Sequence, residues 1–225
     1  MRIEVKIDGA LSEENLRAQA WPLFSRILER SARSIYLANH SLGRPPDRTA
    51  EDIAQGVDAW YSAMNDAWDP WMEAHKRFRE LTATLINAPG ADCIVTKTAA
   101  GQGLRTVLNA LPGKPRIVAT TGEFDSLDFI LRVYRDKGRI DLALVPARAD
   151  GEFHPEDISK AVNAGCDLLV VSSVMFRTGQ VLGGLPELVR KAHAAGAKVL
   201  LDVYHGAGVI PTDVSALDAD FAVGG

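Results

Sequence analysis

Cysteine and long hydrophobic runs are both scarce in this sequence. Its 225 residues include two cysteines, Cys93 and Cys166, which lie far apart and outside any Cys-x-x-Cys pattern. This usage indicates neither a disulfide framework nor a zinc site. No apolar run approaches the roughly 20 residues of a membrane span, and residues 1–6 lack the apolar core of a signal peptide. We therefore expect a protein of the reducing cytoplasm that does not contact a membrane.

Positive charge is not in excess either. The 25 lysines and arginines are outnumbered by 29 acidic residues, which gives a net charge of -4. No basic surface for a nucleic acid is therefore expected. Hydrophobic residues make up 47% and charged residues 24% of the chain, as in ordinary globular proteins, and the length allows a sizeable core.

The hydrophobic pattern divides the chain into two regions. Residues 1–90 are predicted to be mostly helical, and we assign them to a small or interface region. Residues 91–225 are assigned to a larger domain. The predicted helices of the first region cover residues 11–33, 49–67 and 70–87, with a break at Asp69-Pro70.

Short apolar runs alternate with helical patterns in the second region. The predicted strands cover residues 93–95, 116–121, 142–146, 168–173, 199–203 and 221–223. Apolar strands separated by helices predict an α/β fold with a mainly parallel sheet and helices on both faces. Ligands of such sheets bind outside the carboxyl ends of the strands. Those ends carry Gly122-Glu123-Phe124, Ser172-Ser173 and residues 202–205.

Small residues stand where the strand at 93–95 leads into a helix. The segment Thr98-Ala99-Ala100-Gly101 precedes a helical apolar pattern, and the free N–H groups of a helix N-terminus suit a phosphate. The segment matches neither the Walker pattern nor Gly-x-Gly-x-x-Gly, because Thr106 occupies the third glycine position. An ordinary helix with Thr98 as its N-cap explains the same residues.

An acid and an imidazole close the strand at 199–203. Asp202 must be hydrated, paired or hydrogen-bonded, because burial of a lone charge is costly. His205 follows three positions later, and Gly206 lets the backbone approach a ligand closely. A structural acid and histidine would fit this pattern too. A metal site that includes Asp213 lacks a recognised ligand spacing, so we predict no metal.

Four segments of the sequence resemble the kynureninases. They are residues 35–43, which contain Asn-His-Ser-Leu-Gly; residues 172–180, which contain Arg-Thr-Gly; residues 201–208, which contain Asp-Val-Tyr-His-Gly; and residues 220–225. The similarity runs from about Ile35 to the end of the chain. Together the motifs are fairly specific for the fold type I, class V aminotransferase-like group of pyridoxal phosphate enzymes, which they resemble. They are less specific for kynureninase within that group.

The resemblance implies pyridoxal 5'-phosphate as the cofactor and gives residues their roles. Asp202 would pair with the pyridine nitrogen, and His205 would lie beside the same ring. Phe124 would stack on the ring, and Ser172 would lie near it. The phosphate would be held by Thr98, Ala99 and Ala100. A substrate would approach Asn39 and His40.

The implied activity is hydrolytic Cβ–Cγ cleavage of the amino acid kynurenine to anthranilate and alanine, in a homodimer. Other class V activities remain open: cysteine desulfurase, selenocysteine lyase or aminotransferase. So do a non-catalytic protein of this fold and, more weakly, a nucleotide-binding domain. The sequence departs from the kynureninases at Leu127, where an acid is expected, at Ala99-Ala100, which lack hydroxyls, and at His40. These departures concern the substrate more than the cofactor.

The lysine that forms the Schiff base is expected about three residues after Gly225. None of the lysines present replaces it, since Lys198 begins the Asp202 strand at the wrong end and Lys191 lies on a predicted helix. A strand at 221–223 with nothing after it would also leave an exposed sheet edge. The sheet edge indicates a missing segment, and the resemblance implies that the sequence is the N-terminal part of a protein about twice as long.

Overall fold

A computed structural model describes residues 8–225. The chain forms two compact units. The first ends at His75, and the second is Lys76–Gly225. The division falls inside a helix, and the predicted domain boundary near residue 90 stays a prediction. None of the described helices is long and apolar enough to cross a membrane.

The first unit is helical. Helix α1 (Glu13–Asn15) continues into a π-helical turn (Leu16–Ala20), a 3₁₀ turn (Trp21–Phe24) and helix α2 (Ser25–Arg30). Helix α3 (Arg48–Ala63) and a 3₁₀ turn (Met64–Ala67) precede helix α4 (Trp68–Leu85), which runs into the second unit.

The break between the long helices lies earlier than predicted. Met64 has a φ of 49°, which no α-helical residue adopts, and it ends α3. Asp69 and Pro70 instead lie in the first turn of α4, where proline is tolerated because its missing N–H would have no partner. The prediction of a break at Asp69-Pro70 is therefore wrong.

The second unit is a parallel α/β structure. A 3₁₀ turn (Ala91–Cys93) is followed by α5 (Ala100–Ala110), β1 (Arg116–Thr120), α6 (Asp125–Asp136), β2 (Asp141–Val145), α7 (Pro155–Asn163), β3 (Leu168–Ser172), α8 (Leu185–Ala194), β4 (Lys198–Asp202) and β5 (Phe221–Val223). The strand order is β2-β1-β3-β4-β5, and every neighbouring pair is parallel. The predicted fold class is confirmed.

One predicted strand is absent. Cys93 ends the 3₁₀ turn and Ile94 is extended, but no described strand pairs with residues 93–95. An extended segment becomes a strand only when a neighbour takes up its backbone hydrogen bonds. Helix α5 therefore begins after an irregular segment rather than directly after a strand.

The side chains of the sheet alternate between two apolar cores. Leu169 and Leu201 pack on the face that α7 and α8 cover, whereas Val170 and Leu200 pack on the face that α5 and α6 cover. Because successive side chains of a strand point to opposite faces, Asp202 falls on the α5–α6 face.

Candidate active site

The site is built at the carboxyl ends of β3, β4 and β5. In the strand register, Ser172 pairs with Asp202 and Asp202 pairs with Val223. Residues at the same level of a parallel ladder have side chains on the same face. Ser172 and Asp202 therefore lie side by side on the α5–α6 face, at the edge where ligands of parallel sheets bind.

Asp202 is a buried acid with few polar contacts. It is 2% exposed, and its Oδ1 accepts a hydrogen bond of 2.9 Å from the backbone N–H of Tyr204. Burial raises the pKa of Asp202, and the Tyr204 amide and His205 offset part of the rise. Among the described residues no lysine or arginine forms an ion pair with it. With no lysine or arginine paired with it in the described part of the chain, the buried carboxylate can take the N–H of a pyridinium as a partner.

Glu123 is a second buried acid, for which no role was predicted from the sequence. It is 3% exposed, and its two carboxylate oxygens accept hydrogen bonds of 2.6 Å from Thr120 Oγ1 and Ser172 Oγ. Burial raises its pKa to about 7, and the negative charge of Asp202 adds to the rise. The only sequence signal was an acid at a strand end beside an aromatic residue.

Four aromatic rings surround this edge of the sheet. The Phe124 and Phe176 centroids lie 4.9 Å apart, edge to face, and Phe176 stacks on His205 with centroids 5.4 Å apart. Tyr204 lies parallel to Phe124 at 6.3 Å. The structure thus places Phe124 and His205 in one group, and adds two rings, Phe176 and Tyr204, to which sequence reasoning gave no role.

The N-terminus of α5 carries no side-chain cap. Its N-cap residue is Ala99, and no side chain accepts a hydrogen bond from the first turn there. The alternative of an ordinary helix capped by Thr98 is therefore wrong, which leaves first-turn N–H groups for an anion. Gly101 packs against α6, since a Cβ at this position would lie 3.4 Å from Ser126 Oγ. The start of α5 thus packs against the first turns of α6 at Ser126.

The last two residues of the chain approach β4 closely. A Cβ added to Gly224 would lie 3.2 Å from Val203 Cγ2, and one added to Gly225 would lie 3.0 Å from Tyr204 Cε2. Glycine allows this approach because it has no side chain. The end of β5 therefore lies against the segment that carries Asp202 and His205.

The remaining predicted residues lie elsewhere. Asn39 and His40 are exposed residues of a turn in the first unit, in which Ser41 N–H donates to Ala38 O. Their proposed contact with a substrate stays a prediction. The Asp213 carboxylate accepts hydrogen bonds from Asn87 Nδ2 and the Ala216 N–H.

The metal alternative finds no support in the described residues. The single cluster of potential ligands found there consists of Asp150, Glu152 and His154, on an exposed turn. Asp202, His205 and Asp213 do not form such a cluster within the described part of the chain.

The comparisons with known proteins identify the family. The model of the family "Aminotransferase class-V" matches residues 39–225. The chain belongs to the aminotransferase class V family. This membership confirms the resemblance stated above, together with pyridoxal phosphate as the cofactor.

Curated relatives of the chain are kynureninases. The kynureninase of Bacillus mycoides is 28% identical over 203 residues, which cover 84% of this chain and 47% of that protein. The kynureninase of Pseudomonas fluorescens is 27% identical over 200 residues, with the same coverage. The chain thus spans about half the length of the curated relatives it matches.

Solved structures share the fold. A variant of C-DES with glycine covalently linked to its PLP cofactor gives a TM-score of 0.74 at 18% identity and covers 91% of this chain and 54% of that one. The cysteine desulfurase of Thermococcus onnurineus gives 0.69 at 21% identity, covering 84% of this chain and 48% of that one.

The residues present fit the cofactor of this family. Asp202 is a buried carboxylate that forms no ion pair with a lysine or arginine among the described residues, so a pyridinium can serve as its partner. Uncapped amides at the start of α5 suit a phosphate, and the Phe124 ring offers a face to an aromatic heterocycle.

Proposed function

We propose that this chain forms the cofactor-binding part of a kynureninase-like enzyme, which hydrolyses the Cβ–Cγ bond of kynurenine to give anthranilate and alanine. The observation that carries the proposal is the group of four rings around the end of β4: Phe124, Phe176, Tyr204 and His205. The kynureninases found among the curated relatives support it.

The ring group favours a flat aromatic substrate over a small aliphatic one. Phe176 contacts Phe124, which we expect to pack on the cofactor ring, and it also stacks on His205. Edge-to-face and stacked contacts with a further aromatic ring contribute about 0.5–1.5 kcal/mol each beyond the buried area. Cysteine, the substrate of a desulfurase, has no ring with which to form such contacts.

Each residue of the site has a definite task in this proposal. When bound, pyridoxal phosphate supplies an electron sink that stabilises negative charge at the substrate's α-carbon. Asp202 holds the proton on the pyridine nitrogen, and His205 helps keep Asp202 ionised, because His205 lowers the pKa of that acid. Phe124 packs on the ring.

The phosphate is bound by the first-turn amides of α5, next to Ala99 and Ala100. The lysine expected beyond Gly225 would follow β5, whose end lies against Tyr204. We also propose a homodimer, which light scattering on the purified full-length protein would test against a monomer.

The deciding experiment supplies the full-length protein with pyridoxal phosphate and either kynurenine or cysteine. We expect anthranilate, detected by its fluorescence, together with one equivalent of alanine. Alanine from cysteine without anthranilate from kynurenine would overturn the proposal in favour of a desulfurase. The variant Phe176→Leu should raise KM for kynurenine by about three- to tenfold through loss of one ring contact.

A matched control is Phe129→Leu, which changes an exposed phenylalanine of α6. This variant should keep the KM of the wild type, because Phe129 does not belong to the ring group. An equal rise in both variants would show that the Phe176 effect is not a substrate contact.

A further inference from the structure

Glu123 is held inside the protein at the end of β1. Residues 121–122 form a turn, and Gly122 packs closely against Phe153, since a Cβ on Gly122 would lie 2.4 Å from Phe153 Cε2. The turn brings the Glu123 carboxylate under the surface, where it is 3% exposed. An acid in such a position needs polar partners that compensate for lost water.

The partners of Glu123 are two hydroxyl groups. Thr120 Oγ1 and Ser172 Oγ each donate a 2.6 Å hydrogen bond to a different carboxylate oxygen. No basic side chain pairs with it among the described residues. The charged group that acts on it is Asp202 of β4, on which His205 acts in turn. Two neutral donors stabilise a carboxylate less than a cation does.

Ser172 connects Glu123 to the cofactor side of the sheet. It bonds to Glu123 through its hydroxyl and is the ladder neighbour of Asp202. A hydroxyl has one hydrogen to donate. When Glu123 is ionised, that hydrogen is held by the glutamate. When Glu123 is protonated on Oε2, its own O–H donates to Ser172 Oγ instead, and the Ser172 hydrogen is released.

We propose that Glu123 is a positioning residue, which directs the Ser172 hydroxyl toward itself when ionised and toward the Asp202 side of the site when protonated. The inference rests on the proposed function, because that function places a cofactor ring at Asp202. Glu123 does not touch the reacting atoms and acts through Ser172. Its pKa of about 7 puts both protonation states within the working range of the protein.

The test follows the absorption spectrum of bound pyridoxal phosphate against pH in the full-length protein. The wild type should show a transition with its midpoint near pH 7. Glu123→Gln, which keeps the shape but cannot ionise, should bind the cofactor within about threefold of the wild type at low pH and lose the transition. Persistence of the same midpoint in Glu123→Gln would overturn the inference.

Two further variants test whether Glu123 is the titrating group. Asp136→Asn removes one negative charge at the exposed far end of α6 and should keep the wild-type transition. Thr120→Val removes one hydroxyl donor from the glutamate, so its midpoint should move upward by about one pH unit. An unmoved midpoint in Thr120→Val would also count against Glu123 as the titrating group.

A second measurement separates this inference from the proposed function. Infrared spectra of the apoprotein should show a protonated carboxyl band that disappears as pH rises through about 7 and is missing in Glu123→Gln. If the wild type binds no pyridoxal phosphate, the proposed function fails, and the positioning role fails with it. If the cofactor binds but the carboxyl band is absent from the wild type, the inference alone is wrong.

Discussion

Ser172 and Asp202 are direct neighbours at the ends of β3 and β4, and both lie on the face of the sheet that α5 and α6 cover. The Ser172 hydroxyl is at the same time bonded to the buried Glu123. One hydroxyl thus stands between two acids whose pKa values are both raised by burial. The expected outcomes below follow from this arrangement and from the helices beside it.

Replacement of Asp202 by asparagine should leave a folded protein with much slower turnover. The amide has the size of the acid but cannot hold a proton on the pyridine nitrogen. Loss of one preorganised electrostatic contact of this kind lowers kcat by about 10²–10³-fold. Steady-state kinetics on Asp202→Asn, together with its circular dichroism spectrum, measure the effect. Wild-type turnover in this variant would exclude the pyridinium role.

The matched control for this change is Asp213→Asn. Asp213 holds a loop through Asn87 and Ala216, so the variant should be slightly less stable while its turnover stays that of the wild type. A loss of turnover in Asp213→Asn, reversed by added divalent metal, would instead revive the metal alternative.

Ala99→Asp should stabilise the protein and weaken cofactor binding at the same time. An aspartate at the uncapped N-terminus of α5 bonds the first-turn amides, which is worth about 1 kcal/mol. Its charge also occupies the position that we assign to the phosphate, so the cofactor dissociation constant should rise at least about tenfold. Urea unfolding and fluorescence titration with pyridoxal phosphate measure the two effects.

Ala99→Ser serves as the neutral comparison. Serine caps the helix without adding charge, so it should raise stability by a similar amount and weaken cofactor binding less than aspartate does. Equal cofactor affinities in the wild type, Ala99→Ser and Ala99→Asp would place the phosphate away from α5.

Much of this site could be predicted from sequence because its residues follow buried strands. The apolar runs before Ser172 and Asp202 indicated parallel strands, and the carboxyl ends of such strands meet at one edge. Phe124 was found by the same argument. The close packing of α5 on α6, by contrast, depends on Gly101, which has no Cβ to meet Ser126 and Ile130.

Glu123 could not be assigned from the sequence, since its role depends on a partner 49 positions away. Whether an acid after a strand faces water or the core is set by the turn that follows, here by the contact of Gly122 with Phe153. The missing strand at 93–95 has a similar cause, because strand pairing is a tertiary contact that local propensity does not determine.

Glu123 should make the protein less stable as pH rises from about 4.5 to about 7. Its pKa is raised from 4.5 to about 7, so in this interval the folded state binds a proton that the unfolded state has released. The free energy of unfolding then falls with rising pH, and the loss is complete above the folded-state pKa. A shift of this size corresponds to about 3 kcal/mol.

Glu123→Gln mimics the protonated acid and should remove this loss. Its free energy of unfolding should match that of the wild type near the unfolded-state pKa and exceed it by about 3 kcal/mol above the folded-state pKa. Urea unfolding across this pH range measures the difference. The free energy of unfolding of Asp136→Asn should differ from that of the wild type by a nearly constant amount across this pH range. If the difference in the free energy of unfolding between Glu123→Gln and the wild type is also constant with pH, Glu123 is ionised over the whole pH range.

Gly103→Ala should destabilise the protein although alanine favours a helix. A Cβ at this position would lie 2.7 Å from Val223 Cγ1, and Val223 is buried at the end of β5. Its β-branched side chain has little freedom to move aside. Helix α5 must then shift away from the sheet, at a cost of about 1–3 kcal/mol. Urea unfolding gives the net change in the free energy of unfolding.

The double variant Gly103→Ala, Val223→Ala tests whether this contact is the cause. With the methyl groups of Val223 removed, alanine at position 103 meets no obstacle, so it should add its helix propensity of up to about 1 kcal/mol instead of destabilising. The two substitutions should therefore show a coupling energy of about 1–3 kcal/mol. Additive effects would mean that α5 does not pack against β5 as closely as the structure has it. In that case the start of α5 would also lie farther from Asp202, and its amides could not hold a phosphate beside the same ring.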